Sequence, residues 1–320
     1  MATSNPIEPL VSVVVLSFNR RIKVHNLIKA LSQQNYSNYE IIVIDNNSQD
    51  DTVEFLKLNY PEVKTIRCPE NFGYVAYNFG FSNAQGDYII IIDDDGLPAS
   101  IDWISRTMSH FESNPRLGAI GFTIRMQDTG LLAYDSPNYG YKSMAGGGYP
   151  SAAFNGTGAA LRAQALKEVG YYPFYFFRSW CELHLCTRLI DKGWDVNYIP
   201  DLEVWHCRPS GSINRPITYY GLRNYLWYVW SFYPWPQVII ETIHYSGSRF
   251  LSVLQGKLSI VLFLKALIHA LINWSQYSLD RKPISITTLE SLQRRRASGN
   301  GHSIVDNYRS FEDTHYGLPT

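Results

Sequence analysis

The chain has few cysteines and no excess of either charge. Its 320 residues include four Cys, and 28 Lys and Arg balance 28 Asp and Glu. Four irregularly spaced thiols, Cys68, Cys181, Cys186 and Cys207, make no disulfide framework and read as reduced. Cys181 and Cys186 lack a Cys-x-x-Cys spacing, so zinc held with His184 or His206 is disfavoured against plain buried thiols. Zero net charge removes any global pull toward nucleic acid, and no such partner is expected. No apolar run reaches the roughly 20 residues of a membrane span. The nearest, FLSVLQGKLSIVLFLKALIHALINW at 250–274, is interrupted by Lys257, Lys265 and His269. It reads as a buried helix, or as one lying on a membrane surface. The first 21 residues have neither a basic head nor a cleavage site, so a secretory leader is not expected. G-x-x-x-x-G-K-[ST] is missing, as is G-x-G-x-x-G after the first strand. Both absences argue against a P-loop kinase or an ordinary dehydrogenase.

The first third is a strand–helix alternation. VSVVVLS (11–17), YEIIVID (39–45), VKTIRC (63–68) and DYIIIID (87–93) are short β-branched runs with the pattern of strands buried on both faces. Between them, 21–34, 50–59 and 73–85 carry helical spacing, the second entered through an aspartate cap. Short connections of this kind predict an α/β fold with a parallel sheet and right-handed crossovers. Further on, 127–151 is rich in Gly, Tyr and Ser and reads as a mobile loop, a hairpin or an active-site flap. Helices are predicted at 162–170 and 181–193, and strands at WDVNYIP and LEVWHC. An aromatic helical region begins near residue 216, and the tail after Arg281 reads as partly disordered.

Ligands of such sheets bind beyond the carboxyl ends of the strands. Those ends read SFNR, DNNSQD, PENFG and DDDG. Asp93, Asp94 and Asp95 raise one another's pKa unless a cation joins them. An oxygen-only donor set suits Mg²⁺ or Mn²⁺ shared with substrate phosphates. A solvated acidic turn is the plain alternative. Asp45 ends the second strand beside the first, where a carboxylate can accept from a nucleoside or simply cap the next helix.

Five segments in order over about residues 10–210 resemble the family 2 glycosyltransferases of the GT-A fold. They are VSVVVLSFNR, YEIIVIDNNSQDDT, NFGYVAYNFGFSNAQGDYIIIIDDD, NGTGAALRAQALKEVGYY and ELHLCTRLIDKGWDVNYIPDLEVWH. The segments YYGLRNYLWYVWSFYP and RKPIS are similar, less specifically, to rhamnosyltransferase-like members. The resemblance implies a GT-A-type doubly wound, mixed and mainly parallel sheet with a C-terminal helical extension. It divides the chain into a catalytic domain at 10–214 and a helical region at 215–320.

It also implies site roles. Phe18, Asn19, Asp45, Asn71, Asp93 and Asp94 would hold the nucleotide-sugar. Asp93, Asp95 and His206 would bind Mg²⁺ or Mn²⁺. Asn155, Gly156 and His184 would line the acceptor or donor-sugar side. Glu182 would be the catalytic base, although the family's flanking acids are here Cys181 and His184. The implied reaction is inverting transfer from a nucleoside-diphosphate sugar to a glycan or lipid-linked glycan, in cell-surface polysaccharide synthesis. The implied location is the cytoplasm, at the inner face of the plasma membrane, with peripheral contact through the C-terminal helices and room for a homo-oligomer. Two rivals are a sugar-nucleotide nucleotidyltransferase, disfavoured because SFNRR has no glycine, and a non-catalytic donor-binding scaffold.

Overall fold

The computed structural model describes residues 8–133, 148–208, 219–273 and 281–298. Strands β1 (Val11–Ser17), β2 (Tyr39–Asp45), β3 (Lys64–Arg67) and β4 (Tyr88–Asp93) alternate with helices α1 (Arg21–Leu31), α2 (Thr52–Asn59) and α3 (Tyr77–Asn83). The four strands pair in parallel in the order β3-β2-β1-β4. Side-chain alternation divides them cleanly between two cores. Val13, Val15, Ile90 and Ile92 pack with Leu27, Ile28 and Trp103 on one face. Val14, Ile42, Ile44 and Ile91 pack with Tyr77 and Phe81 on the other. Full burial of each such side chain is worth about 1.5–3 kcal/mol, which explains four consecutive isoleucines in one strand. Register then sets the rim, with Ser17 level with Asp45 and Leu16 level with Asp93.

The sheet continues through β5 (Gly96–Pro98), β6 (Leu117–Met126), β7 (Tyr149–Pro150), β8 (Gly158–Arg162) and β9 (Asp195–His206). Helices α4 (Trp103–Ser113), α5 (Ala163–Val169) and α6 (Cys181–Asp191) lie between them in sequence. Two antiparallel pairings build the site. β8 lies against β4 with Gly158 opposite Ile92, bringing residues 155–157 to the acidic strand end. β5 lies against β9 with Gly96 opposite His206, bringing that imidazole to Asp95.

Two expectations need correction, and the tail, read as partly disordered, holds one further helix among the described residues. WDVNYIP and LEVWHC form one strand, β9, whose pairing with β6 shifts register between Phe122 and Thr123. The apolar run at 250–274 is two helices, α8 (Gln237–Leu254) and α9 (Ile260–Ile272), separated at Gly256, whose φ is 72°. The tail is helical again in α10 (Ile286–Ser298). The proposed flap lies largely outside the described residues, as does the sequence beyond 298.

Helix α7 (Tyr219–Phe232) is buried at every position from Gly221 to Phe232. A helix apolar all round belongs inside a core. It shares one continuous core with the sheet face of Val14 and Ile91.

Candidate active site

The acidic strand end is held by cations and hydroxyls of the same chain. Asp94 is buried, and its Oδ2 accepts from Ser17 Oγ at 2.9 Å. Its Oδ1 accepts from Arg20 Nη1, also at 2.9 Å. The same guanidinium nitrogen donates to Asp95 Oδ2 at 2.8 Å, and Lys23 Nζ stands 3.5 Å from that oxygen. His206 Nε2 lies 3.3 Å from Asp95 Oδ1, with both side chains buried. Burial opposes ionisation of Asp95, but the His206 hydrogen bond and the charges of His206, Arg20 and Lys23 outweigh it. The carboxyl is held well below the ordinary range. Asp93 goes the other way. Lost hydration, then the charges of Asp95 and Asp94, push it well above that range, and Tyr77 OH donates to its Oδ1 at 3.0 Å.

These contacts divide the three aspartates by task. Asp94, expected to touch the donor, spends both oxygens on the chain joining β1 to α1. Asp95 and His206 converge, but Asp93 does not join them as a third ligand. No group of three His, Cys, Asp or Glu side chains assembles around one point among the described residues. The protein therefore offers one carboxylate and one imidazole. That donor set fits Mg²⁺ or Mn²⁺ completed by substrate phosphates better than a closed protein cage.

Of the residues expected to hold the nucleotide, Phe18 is 40% exposed at the rim. Asp45 is fully buried. Its Oδ2 accepts from Ser48 N at 3.1 Å, while Oδ1 has no hydrogen-bond partner among the described residues. A buried acceptor left unpaired costs on the order of 1–3 kcal/mol, so Asp45 is fitted for a donor group that the described residues do not supply. Asn19 and Asn71 serve the loops instead. Asn19, at φ 54°, accepts from Gln49 N at 2.6 Å and ties the end of β1 to that of β2. Asn71 Oδ1 accepts from Gly73 N at 2.8 Å and from Asn46 Nδ2 at 3.0 Å.

Glu182, the expected base, lies in the first turn of α6, where Cys181, Leu183, His184, Leu185 and Cys186 are all buried. Its carboxylate meets the backbone of Gly156 so closely that a Cβ built there would lie 2.5 Å from Glu182 Oε1. The same Cβ would lie 2.5 Å from Tyr74 OH. Tyr74 OH donates to Gly156 O at 2.9 Å. Burial first, then nearby phenols and acids, push Tyr74 and Tyr77 well above their ordinary pKa, so both remain neutral donors. Asn155 is buried; its Oδ1 accepts from Thr157 N at 2.8 Å, and its Nδ2 has no partner among the described residues.

His184 does not face the acceptor groove, contrary to expectation. It is buried edge-on between Phe176 and Phe232, with ring centroids at 5.2 and 4.6 Å. Burial, helped by the charge of Arg188, pushes its pKa well below the ordinary value. Cys181 is likewise in the core. The family's two flanking acids are thus replaced on the packed side of α6. A folded state that keeps His184 neutral loses stability as pH falls below the unfolded value near about 6.5, by about 1.4 kcal/mol per pH unit. Between pH 7.5 and 5.5, denaturant titration should show wild type losing about 1.4 kcal/mol more than His184→Leu. Equal losses would mean that the imidazole protonates in place.

Sequence reasoning missed what delivers Glu182. Phe177, Ser179 and Trp180, just before α6, have φ of 60°, 66° and 69°. Each such non-glycine conformation costs about 1–3 kcal/mol and persists only where surroundings enforce it. The enforcement comes from α7. Asn224 is fully buried, and its Nδ2 donates to the carbonyls of Phe176 (2.8 Å), Arg178 (2.7 Å) and Ser179 (3.2 Å). Trp180 Nε1 donates to Gly221 O at 2.8 Å. The only trace in the sequence was a polar Arg-Asn pair inside an otherwise aromatic helix.

The family model for glycosyl transferase family 2 matches residues 12–170. The chain belongs to that family. It is 27% identical over 216 residues to the glycosyltransferase AglE of Haloferax volcanii, covering 64% of this chain and 69% of the relative. It is 33% identical over 92 residues to a GalNAc(5)-diNAcBac-PP-undecaprenol beta-1,3-glucosyltransferase of Campylobacter jejuni, covering 27% of this chain and 30% of the relative. The mannosyltransferase PcManGT of Pyrobaculum calidifontis, solved with GDP-Man and Mn²⁺, superposes at TM-score 0.57 with 17% identity. That match covers 96% of this chain and 84% of the other. The sheet and its flanking helices are those of the GT-A fold.

Proposed function

We propose that this glycosyltransferase moves a sugar, with inversion, from a nucleoside diphosphate to a hydroxyl of a glycan or lipid-linked glycan. The observation that carries the reading is the approach of Glu182 to Gly156 and Tyr74 beside the acidic end of β4. The donor's nucleoside lies along Phe18 and Asp45, whose unpaired Oδ1 accepts from it. The diphosphate lies over Asp95 and His206. Tyr77 and Tyr74 hold Asp93 and the 156 backbone, fixing the floor beneath the sugar. Glu182 takes the proton from the acceptor hydroxyl, and the oxygen attacks the anomeric carbon from the face opposite the diphosphate. A divalent ion on Asp95 and His206, when bound, supplies Lewis-acid stabilisation of the leaving diphosphate. The undecaprenol-linked acceptor in the name of the Campylobacter jejuni relative supports a lipid-linked acceptor and a cell-surface product. The scaffold alternative loses its motive, since Cys181 and His184 face the core rather than the cleft.

The test is a thermal-shift screen of UDP, dTDP and GDP with and without Mn²⁺. One nucleotide should raise Tm strongly only with the metal, and Asp95→Asn should remove the metal-dependent part. No shift with any nucleotide would sink the donor assignment. A sugar-nucleotide nucleotidyltransferase would respond instead to a triphosphate.

A further inference from the structure

Helices α8 and α9 gather exposed apolar side chains into stripes. Twelve of the 20 large apolar residues exposed among the described residues lie on these two helices. On α8 they include Ile240, Ile243 and Leu254, 62, 68 and 68% exposed; on α9, Val261, Leu264 and Ile272, 71, 44 and 74% exposed. Helical periodicity keeps each set on one side, opposite the buried Tyr245 and Arg249 of α8 and Phe263 and Ala266 of α9. The inner sides are taken: Phe250 meets Phe263, and Trp227 Nε1 of α7 donates to Ala270 O at 3.2 Å. Contiguous apolar surface of this kind marks a docking face, unlike singly scattered residues.

The charges around the stripes identify what docks. Residues 242–273 contain no Asp or Glu, but do contain Lys257 and Lys265, Arg249 being buried on the inner side of α8. The acid just before them, Glu241, accepts from Tyr225 OH at 2.6 Å. Lys257 sits in the connection between the helices. The exposed Lys265 borders the α9 stripe, its Nζ 5.7 Å from the Tyr219 ring. An apolar stripe edged by cations and free of carboxylates matches an anionic bilayer. Lysine stems lie along the acyl boundary while the ammonium groups reach lipid phosphates. A second copy of the chain would set the same cations against one another. Neither helix is long and apolar enough to cross a membrane, so the pair lies in the plane of the interface. We infer that the α8–α9 face docks this chain on an anionic lipid surface. The inference stands apart from the transfer reading.

Vesicle flotation of the full chain tests it, with phosphatidylcholine alone or with phosphatidylglycerol added. Wild type should float with the anionic vesicles and less with the neutral ones. Combined Ile240→Ser, Ile243→Ser, Val261→Ser and Leu264→Ser should lower vesicle affinity by more than about a hundredfold. Lys257→Glu with Lys265→Glu should cost at least about thirtyfold on anionic vesicles and little on neutral ones. Wild type that floats with neither vesicle overturns the inference. Should light scattering then show a dimer split by the same serines, the face is a self-association surface. A folded serine variant that floats like wild type also overturns it. Should the serine variant fail to fold, an unchanged anionic preference in the lysine variant does so by itself.

Discussion

Glu182→Gln is expected to lower kcat for sugar transfer by about three orders of magnitude, within the range for loss of a general base. The metal-dependent thermal shift from the nucleotide should stay at its wild-type size. The substitution keeps the shape of the side chain and its place beside Gly156 and Tyr74, and removes only its capacity to take a proton. The donor contacts proposed above lie elsewhere, at Phe18, Asp45, Asp95 and His206, so on that reading binding and chemistry should separate. Half-buried at the start of α6, Glu182 is also the one residue of the first six in that helix that is not fully buried. A merely structural acid there would cost stability on amidation and leave turnover intact. Wild-type turnover in this variant would remove Glu182 from the mechanism.

The parallel half of the sheet was legible because its strands repeat one signal, a β-branched run ending in polar residues. Tyr39–Asp45 and Val11–Ser17 were read to the residue. Leu117–Met126, the ten-residue β6, escaped because its glycines and mixed polarity imitate irregular chain. The 250–274 run read as one helix because the apolar segments on either side of Gln255, Gly256 and Lys257 continue the same composition and hide the break between them. Site residues divide along similar lines. The acids at the strand ends were findable because the fold class says where ligands bind. Their internal partners were not. Arg20 bridging Asp94 and Asp95 joins residues more than 70 apart, and Asn224 acts on carbonyls more than 40 residues earlier. Local patterns do not name the partners in such pairings, even where, as at Arg223 and Asn224, a polar pair in an aromatic helix stands out. His184 misled for a related reason. Its position in the motif suggested a groove, whereas packing against Phe176 and Phe232 is a tertiary fact.

Gly156→Ala should cut transfer by about a hundredfold, as expected for a displacement near 1 Å of a reacting group, while lowering Tm less than Gly73→Ala does. Its backbone is not in the left-handed region, so alanine brings no conformational strain. What the new methyl meets, at 2.5 Å, is the end of Glu182 and the hydroxyl of Tyr74. The carboxylate on its flexible stem yields cheaply, but the Tyr74 ring, whose Cζ would lie 2.7 Å from the methyl and which packs on Tyr77 and Tyr172, does not, so the side chain of Glu182 moves and some stability is lost with it. Gly73→Ala provides the contrast. There φ is +63° and the added carbon would lie 2.4 Å from Phe177 O, a backbone atom that cannot give way. Conformation alone costs about 1–3 kcal/mol, and the clash falls on the strained segment that Asn224 holds. Gly73→Ala should therefore lower Tm as well as activity, through Tyr74 and the 177 carbonyl that its N–H meets at 2.6 Å. Paired measurements of Tm and kcat separate the two glycines. If Gly156→Ala turned over like wild type, close contact among Glu182, Tyr74 and that backbone would not be what positions the base.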